Sequence, residues 1–284
     1  MNMLETRTTL NCRGKLLELS RPKVMAIINV TPDSFYEGSR YSNIDNVLRY
    51  AEKALTEGAA ILDVGGMSTR PGATFIDALS ECHRVVPVIE VLVRHFPDCM
   101  VSIDTVRAEV ARAAAEVGAG MVNDVSAGRI DPHLFQTVAD LGIPYVLMHS
   151  KGDLEGMKYE AGYTDVVLAI LDFLIEKVGV LREMGVKDIL IDPGFGFGKT
   201  LDDNYEILRK MHVFGMLDLP ILVGISRKSM IYKLLNINAK QALNGTTAIH
   251  MIALQNGAKI LRVHDVLAAM EAIKIYENTY IKIN

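Results

Sequence analysis

"MVSIDTVRAEVARAAAEVGAGMVND", residues 100–124, is the stretch that decides the fold. A short apolar run ends in a carboxylate, a helical period follows, a glycine stops it, and a second apolar run begins. "VRAEVARAAAEVG" places Val106, Val110, Ala113, Ala114 and Val117 on one helical face and ends at Gly118, a C-cap residue. The flanking runs are continuously apolar, as strands buried on both faces of a parallel sheet must be.

The same unit recurs along the chain. Apolar runs stand at 24–30 ("VMAIINV"), 59–66 ("AAILDVGG"), 100–104, 120–124, 143–149 ("IPYVLMH"), 188–192 ("DILID"), 220–226 ("PILVGIS") and 259–264 ("KILRVH"). Amphipathic stretches lie between them; "NVLRYAEKALTEG" lines up Val47, Leu48, Ala51, Ala54 and Leu55 before Gly58. Asp131-Pro132 reads as an N-cap with proline at the first helical position. Eight such strands alternating with helices imply an α/β fold of the (β/α)₈ TIM-barrel type. A doubly wound open sheet would use fewer strands and carry a glycine fingerprint after the first. Residues 1–23 fall outside the alternation. "LNCRGKLLEL" suits a small N-terminal β-hairpin turning at Arg13-Gly14 and closing the bottom of the barrel. No linker or repeat interrupts residues 1–284, so a single domain is expected.

Composition narrows the classes of function. The chain of 284 residues is 50% hydrophobic and 23% charged, enough apolar material for a large core. A formal net charge of −4 and no basic run argue against nucleic acid as a partner. The apolar runs are strand-sized, well below the about 20 residues of a membrane span, so no membrane partner is expected. Cys12, Cys82 and Cys99 are scattered, which points to a reducing, cytoplasmic setting without a disulfide framework or zinc site.

Nearly every run ends in a polar residue: Asn29, Asp63, Asp104, Asn123 with Asp124, His149, Asp192, Ser226, and Arg262 with His264. Strand C-termini of a barrel converge on one mouth, where such enzymes place their sites. Ser226 and Asp265 could instead cap the helices that follow them. Capping does not account for Asp63 before Gly-Gly, or for Asp192 before Pro-Gly-Phe-Gly. His83, His95, His133, His212 and His250 lie in helical stretches and read as packing or surface residues.

The segment "IDPGFGFGKT", 191–200, tests two phosphate motifs and fails both. A P-loop needs glycine at position 193, which is Pro193, and the glycines at 194, 196 and 198 do not fit G-x-G-x-x-G. The loop reads better as a floor for a flat ring, with Phe197 and Lys199 pointing into the mouth. A heterocycle with an amidine-like edge offers paired N–H donors that one carboxylate can accept. Asp192 is the candidate, Asp104 a second acceptor and Asn123 a mixed donor–acceptor. Phosphate suits the region after strands 7 and 8, where "SRKS" opens a helix and Lys228, Arg262 and His264 bring positive charge. Magnesium would suit the Asn29 amide oxygen together with a substrate phosphate. The loops "NVTPDSF" (29–35) and "GGMSTRPGA" (65–73) are long enough to act as lids.

With these residues in place, the chain resembles the dihydropteroate synthase family over essentially its whole length. "INVTPDSF", "DVGGMSTRPG", "SIDT", "VND", "DPGFGFGK", "GISRKS" and "RVHD" match that family's motifs in order. The resemblance implies a barrel that joins 6-hydroxymethyl-7,8-dihydropterin diphosphate to 4-aminobenzoate, giving 7,8-dihydropteroate and pyrophosphate. It implies Mg²⁺ at Asn29, and the pterin among Asp104, Asn123, Met148, Asp192, Gly224 and Lys228. It places the diphosphate at Thr69, Arg262 and His264, and the aminobenzoate at Thr69, Arg70, Pro71, Phe197 and Ser226. Asp33, Asp104, Asp192 and Lys228 are the implied catalytic residues, with Thr31, Asp33 and Ser34 on a moving loop that completes the site. A homodimer is implied as well. The chain departs from the family at Met67, often Glu, and at Thr200, often Asn. Two other readings share the pterin residues: a methyltetrahydrofolate methyltransferase domain, which has no use for "STRPG", "SRKS" and "RVHD", and an inactive pterin-binding protein.

Overall fold

Thr9–Cys12 (β1) and Lys15–Glu18 (β2) form the antiparallel hairpin that the sequence predicts. Its two-residue turn needs positive φ at both positions, and Arg13 (55°) and Gly14 (85°) supply it. This is a computed structural model describing residues 9–30, 40–67, 76–153, 158–159 and 162–280.

The barrel strands follow in chain order: β3 (Lys23–Asn29), β4 (Ile61–Gly65), β5 (Met100–Asp104), β6 (Met121–Asp124) and β7 (Tyr145–Met148). A small hairpin, β8 (Gly152–Asp153) and β9 (Lys158–Tyr159), precedes β10 (Ile189–Asp192), β11 (Ile221–Val223) and β12 (Ala258–Val263). The eight are paired in parallel, and β12 pairs with β3 to close the ring. The principal helices are α1 (Arg40–Thr56), α2 (Ala78–His95), α3 (Ala108–Glu116), α4 (Leu134–Leu141), α5 (Val166–Glu183), α6 (Leu201–Lys210), α7 (Ser229–Leu234), α8 (Leu243–Gln255) and α9 (Val266–Tyr280).

Alternation along the strands sorts the side chains. Val24, Ala26, Leu62, Val64, Val101, Ile103, Ile189 and Ile191 are buried with the helix layer. Met25, Ile61, Met100, Met121, Val146, Leu190, Leu222 and Ile260 turn inward and fill the lower barrel. Leu10, Cys12 and Leu19 pack onto that layer, so the hairpin is its apolar stopper. Two residues further along these strands the inward row becomes polar: Asp63, Ser102, Asn123, Asp192 and Arg262. That change of chemistry sets the position of the site.

Two local readings change. The buried face of α3 is Val110, Ala111, Ala114 and Ala115, with Ala113 half-buried and Val117 at the C-cap. Val106 precedes the helix and escapes its period; it packs with Met67, Val125 and Met148 instead. Likewise α4 starts at Leu134, two residues after Pro132. Asp131 accepts from the backbone N–H of His133 (2.9 Å) and of Ala108 (2.8 Å), so one oxygen serves the start of a different helix, α3.

Candidate functional site

The carboxyl ends of the strands present one connected polar cluster. Arg262, on β12, donates from Nε to Asp63 Oδ2 (2.6 Å) and from one Nη to Asp104 Oδ2 (2.5 Å). Asn123 donates from Nδ2 to the same Asp63 oxygen (3.0 Å). Asp63 is fully buried on β4, and Asp104 ends β5 beside it. Gly65 ends β4 beside Asp104, and a Cβ there would make ordinary contact with Asp104 Cβ at 3.4 Å. Arg262, expected at a diphosphate, also holds two carboxylates inside the mouth through Nε and one Nη.

On the other side of the mouth, Asp192 ends β10 and accepts the N–H of Gly194 through Oδ1 (2.7 Å). Its second oxygen lies near Gly224, 3.9 Å from where a Cβ would stand. Burial raises the Asp192 carboxyl, with the positive Lys228 pulling it back. Burial also brings Lys228 down to about 8, against the attraction of Asp192. The Lys228 Nζ donates to the Phe195 carbonyl and stands 4.4 Å above the Phe197 ring, a cation–π contact. Met148 is buried in the apolar cluster with Met67, Val106 and Val125, and Phe197 packs against it. Acceptors, the Lys228 amine and an apolar wall thus come together on this side of the mouth.

The glycine loop is built as a floor, though not with the lysine expected. Gly194, Gly196 and Gly198 have φ of 71°, 87° and 71°, a conformation that side chains resist. A Cβ on Gly194 would fall 1.9 Å from the His149 carbonyl oxygen. Asn204 accepts the Gly196 N–H (2.7 Å), and Thr200 caps α6 in a capping box with Asp203. That box is the structural use of the Thr200 departure. Lys199 does not point into the mouth. It is buried under the loop, where Nζ contacts His149 Nδ1 (3.0 Å) and the carbonyls of His149 (3.2 Å) and Phe197 (3.0 Å). Burial brings its amine down to about 7 and keeps the His149 ring neutral. The imidazole is then an acceptor for Lys199 and stacks edge-on against Phe173. His149 is accordingly a support rather than a ligand.

After β11, Ser226 does not cap a helix; its Oγ faces the backbone N–H (3.3 Å) and Nδ1 (3.2 Å) of exposed His264. Arg227 has φ of 54° and grips Asp265 through both oxygens (2.7 and 2.9 Å), which takes Asp265 away from capping α9. It also donates to the Ala239 and Lys240 carbonyls. No side chain offered a sequence signal for this bracket beyond the charge of Arg227 itself. Asp124, adjacent to Asn123, points away from the barrel interior and is held by Tyr145 Oη (2.6 Å) and the N–H groups of Ser126 and Gly128. Its role is to shape the loop after β6.

Asn29 ends β3 at the same mouth, in register with Gly65. Among the described residues no three His, Cys, Asp or Glu side chains could hold a metal by themselves. A neutral amide oxygen fits Mg²⁺ as one ligand beside phosphate oxygens and water. Thr31, Asp33 and Ser34, and likewise Thr69, Arg70 and Pro71, lie outside the described residues.

The chain is a closed parallel barrel with carboxylates and an amide gathered at its carboxyl end, and the family described as pterin binding enzyme matches residues 25–264. The dihydropteroate synthase of Escherichia coli K12 is 40% identical over 269 residues, covering 94% of this chain and 95% of its own. A Xanthomonas albilineans dihydropteroate synthase structure with 4-aminobenzoic acid superposes with a TM-score of 0.90 at 42% identity, covering 97% of this chain and 99% of its own. Another from that organism, in complex with 7,8-dihydropteroate, gives 0.86 at 38% identity over 96% and 99%. The chain belongs to the dihydropteroate synthase family.

Proposed function

We propose that the chain condenses 6-hydroxymethyl-7,8-dihydropterin diphosphate with 4-aminobenzoate at this mouth, releasing pyrophosphate. The observation that carries the reading is the convergence of Asp104, Asn123, Asp192 and Lys228 at the carboxyl end of the barrel. It occurs in a chain that matches dihydropteroate synthases nearly end to end. Asp192 and Asn123 read the pterin edge, Asp104 accepts from the ring, and Lys228 faces it over Phe197. Met148 and Gly224 shape the ring's slot. His264, Arg262 and Thr69 meet the diphosphate, and Thr69, Arg70, Pro71, Phe197 and Ser226 surround the aminobenzoate. Mg²⁺, held by Asn29 with the diphosphate, would supply positive charge to the leaving oxygens. Asp33, with Thr31 and Ser34, completes the closed site. The protein acts as a cytoplasmic homodimer in this reading; exposed Ile252, Ile275 and Tyr280 on α8 and α9 offer apolar surface for it.

The chemistry favours departure before attack. The methylene C–O bond breaks, its electron pair leaves with pyrophosphate, and the conjugated ring spreads the resulting cation. The neutral aromatic amine then forms the C–N bond and gives its proton to solvent. Asp104 and Asp192 hold negative charge beside the developing cation. The free thiols belong to Cys12, in the lower barrel, and to Cys82 and Cys99, so no cysteine nucleophile stands in the cluster. A single-turnover α-secondary deuterium isotope effect at the methylene tests this route. A clearly normal effect is expected; a value of unity with chemistry rate-limiting contradicts it.

The pH dependence of pterin affinity follows from the same residues. Burial raises the Asp104 carboxyl to about 7, with Arg262 opposing and Asp63 adding to the rise. Below that pH Asp104 is protonated and loses acceptor strength; above about 8 Lys228 loses its charge. Affinity measured by calorimetry should peak between those limits. Asp104→Asn should flatten the acid limb and Lys228→Arg the basic limb, which separates both from titration of the ligand. A profile unchanged by either substitution contradicts the assignment.

A further inference from the structure

We propose that Asp63 is a positioning residue that sets the donor–acceptor order of Asn123 and the plane of the Arg262 guanidinium. The proposal rests on the pterin-site reading above. Asp63 is fully buried in the middle of the inward row, between Ile27 on β3 and Ser102 on β5. Its Oδ2 accepts from Asn123 Nδ2 (3.0 Å) and from Arg262 Nε (2.6 Å). Oδ1 is buried without a hydrogen-bond partner among the described residues.

The chemistry of that one oxygen is restrictive. An ionised carboxylate only accepts, so the amide end that faces it must be the NH₂. A flipped Asn123 would set its carbonyl against the carboxylate and lose a charge-assisted bond. One hydrogen of Nδ2 is thereby committed, and Asn123 offers its Oδ1 and its second N–H in a fixed order. A mixed amide discriminates between ring edges only when that order is fixed. Arg262 is constrained in the same way. Nε is tied to Asp63 and one Nη to Asp104, so the plane of the fork is set by two carboxylates on adjacent strands. Asp63 reaches two residues of the site without being at its surface.

Asp63→Asn tests this because it keeps the shape and removes the restriction. An amide at 63 either keeps its oxygen toward Arg262 and Asn123 without the charge that strengthens both bonds, or turns its NH₂ toward them, which opposes the Arg262 N–H and lets Asn123 turn over. In neither orientation does a charge-assisted bond impose the order at Asn123. Affinity for a bare 7,8-dihydropterin is expected to fall by at least about tenfold. In an Asn123→Ala background the same substitution should cost at least about threefold less, since residues that act through one another are not additive. The KM for 4-aminobenzoate should stay within about twofold. Equal losses in both backgrounds, or no loss in the first, overturn the proposal. If the unsubstituted protein binds no dihydropterin, the site reading itself fails, which is a distinguishable result. A measurement on the unsubstituted protein covers the case in which Asp63→Asn does not fold. Its ¹⁵N-labelled Asn123 side chain, assigned by loss of the signal in Asn123→Ala, should show one downfield, slowly exchanging N–H in the absence of ligand. An unshifted pair exchanging at the solvent rate overturns the proposal.

Discussion

Asp192→Asn is expected to weaken the binding of a bare pterin by roughly 2–4 kcal/mol while the protein stays folded. An amide in that place has one acceptor, and the Gly194 N–H claims it at 2.7 Å in the native loop. The NH₂ must then face the ring donors and the cationic Lys228. Turning the amide over would free an acceptor for the ring only by leaving Gly194 opposite another donor. Either orientation loses a charge-assisted bond. Calorimetry with a pterin, alongside a thermal melt, measures the effect. Unchanged affinity in the folded variant removes Asp192 from ring recognition.

Arg262→Ala is expected to impair the binding of bare pterin as well as of pyrophosphate, and to lower stability. From the sequence alone Arg262 reads as a diphosphate residue with little effect on the ring. Its partners change that expectation: the truncation leaves Asp63 and Asp104 facing each other in a buried layer. Removing one partner from a buried ion pair costs about 3–5 kcal/mol. Proton uptake by Asp104, already raised by burial, relieves part of that cost and removes the acceptor it offers the ring. Arg262→Lys restores charge without the fork and should recover stability better than affinity. Loss confined to pyrophosphate would show that the ion-pair layer is dispensable.

The barrel was legible because each strand is an apolar run with its own following helix, and periodicity needs no tertiary information. The ends were legible too, since Asp63, Asp104, Asn123 and Asp192 could not all be assigned to caps. The direction of individual side chains was not legible. Lys199 sits in a motif that reads as reaching the mouth, yet its stem is long enough to fold under the loop to His149. Asn123 and Asp124 are adjacent, and strand alternation sends one to the site and the other to Tyr145. Arg227 and Asp265 stand 38 residues apart, and their pairing depends on how β11 and β12 deliver the two loops. Partner choice among charged residues is a property of the closed barrel.

Product formation from the two purified substrates tests the central claim most directly. Incubated with 6-hydroxymethyl-7,8-dihydropterin diphosphate, 4-aminobenzoate and Mg²⁺, the protein should release pyrophosphate and form 7,8-dihydropteroate in equal amounts, and neither without the amine in excess of slow hydrolysis. Binding of the dihydropterin with no product, or transfer of a methyl group from methyltetrahydrofolate in its place, would contradict the account.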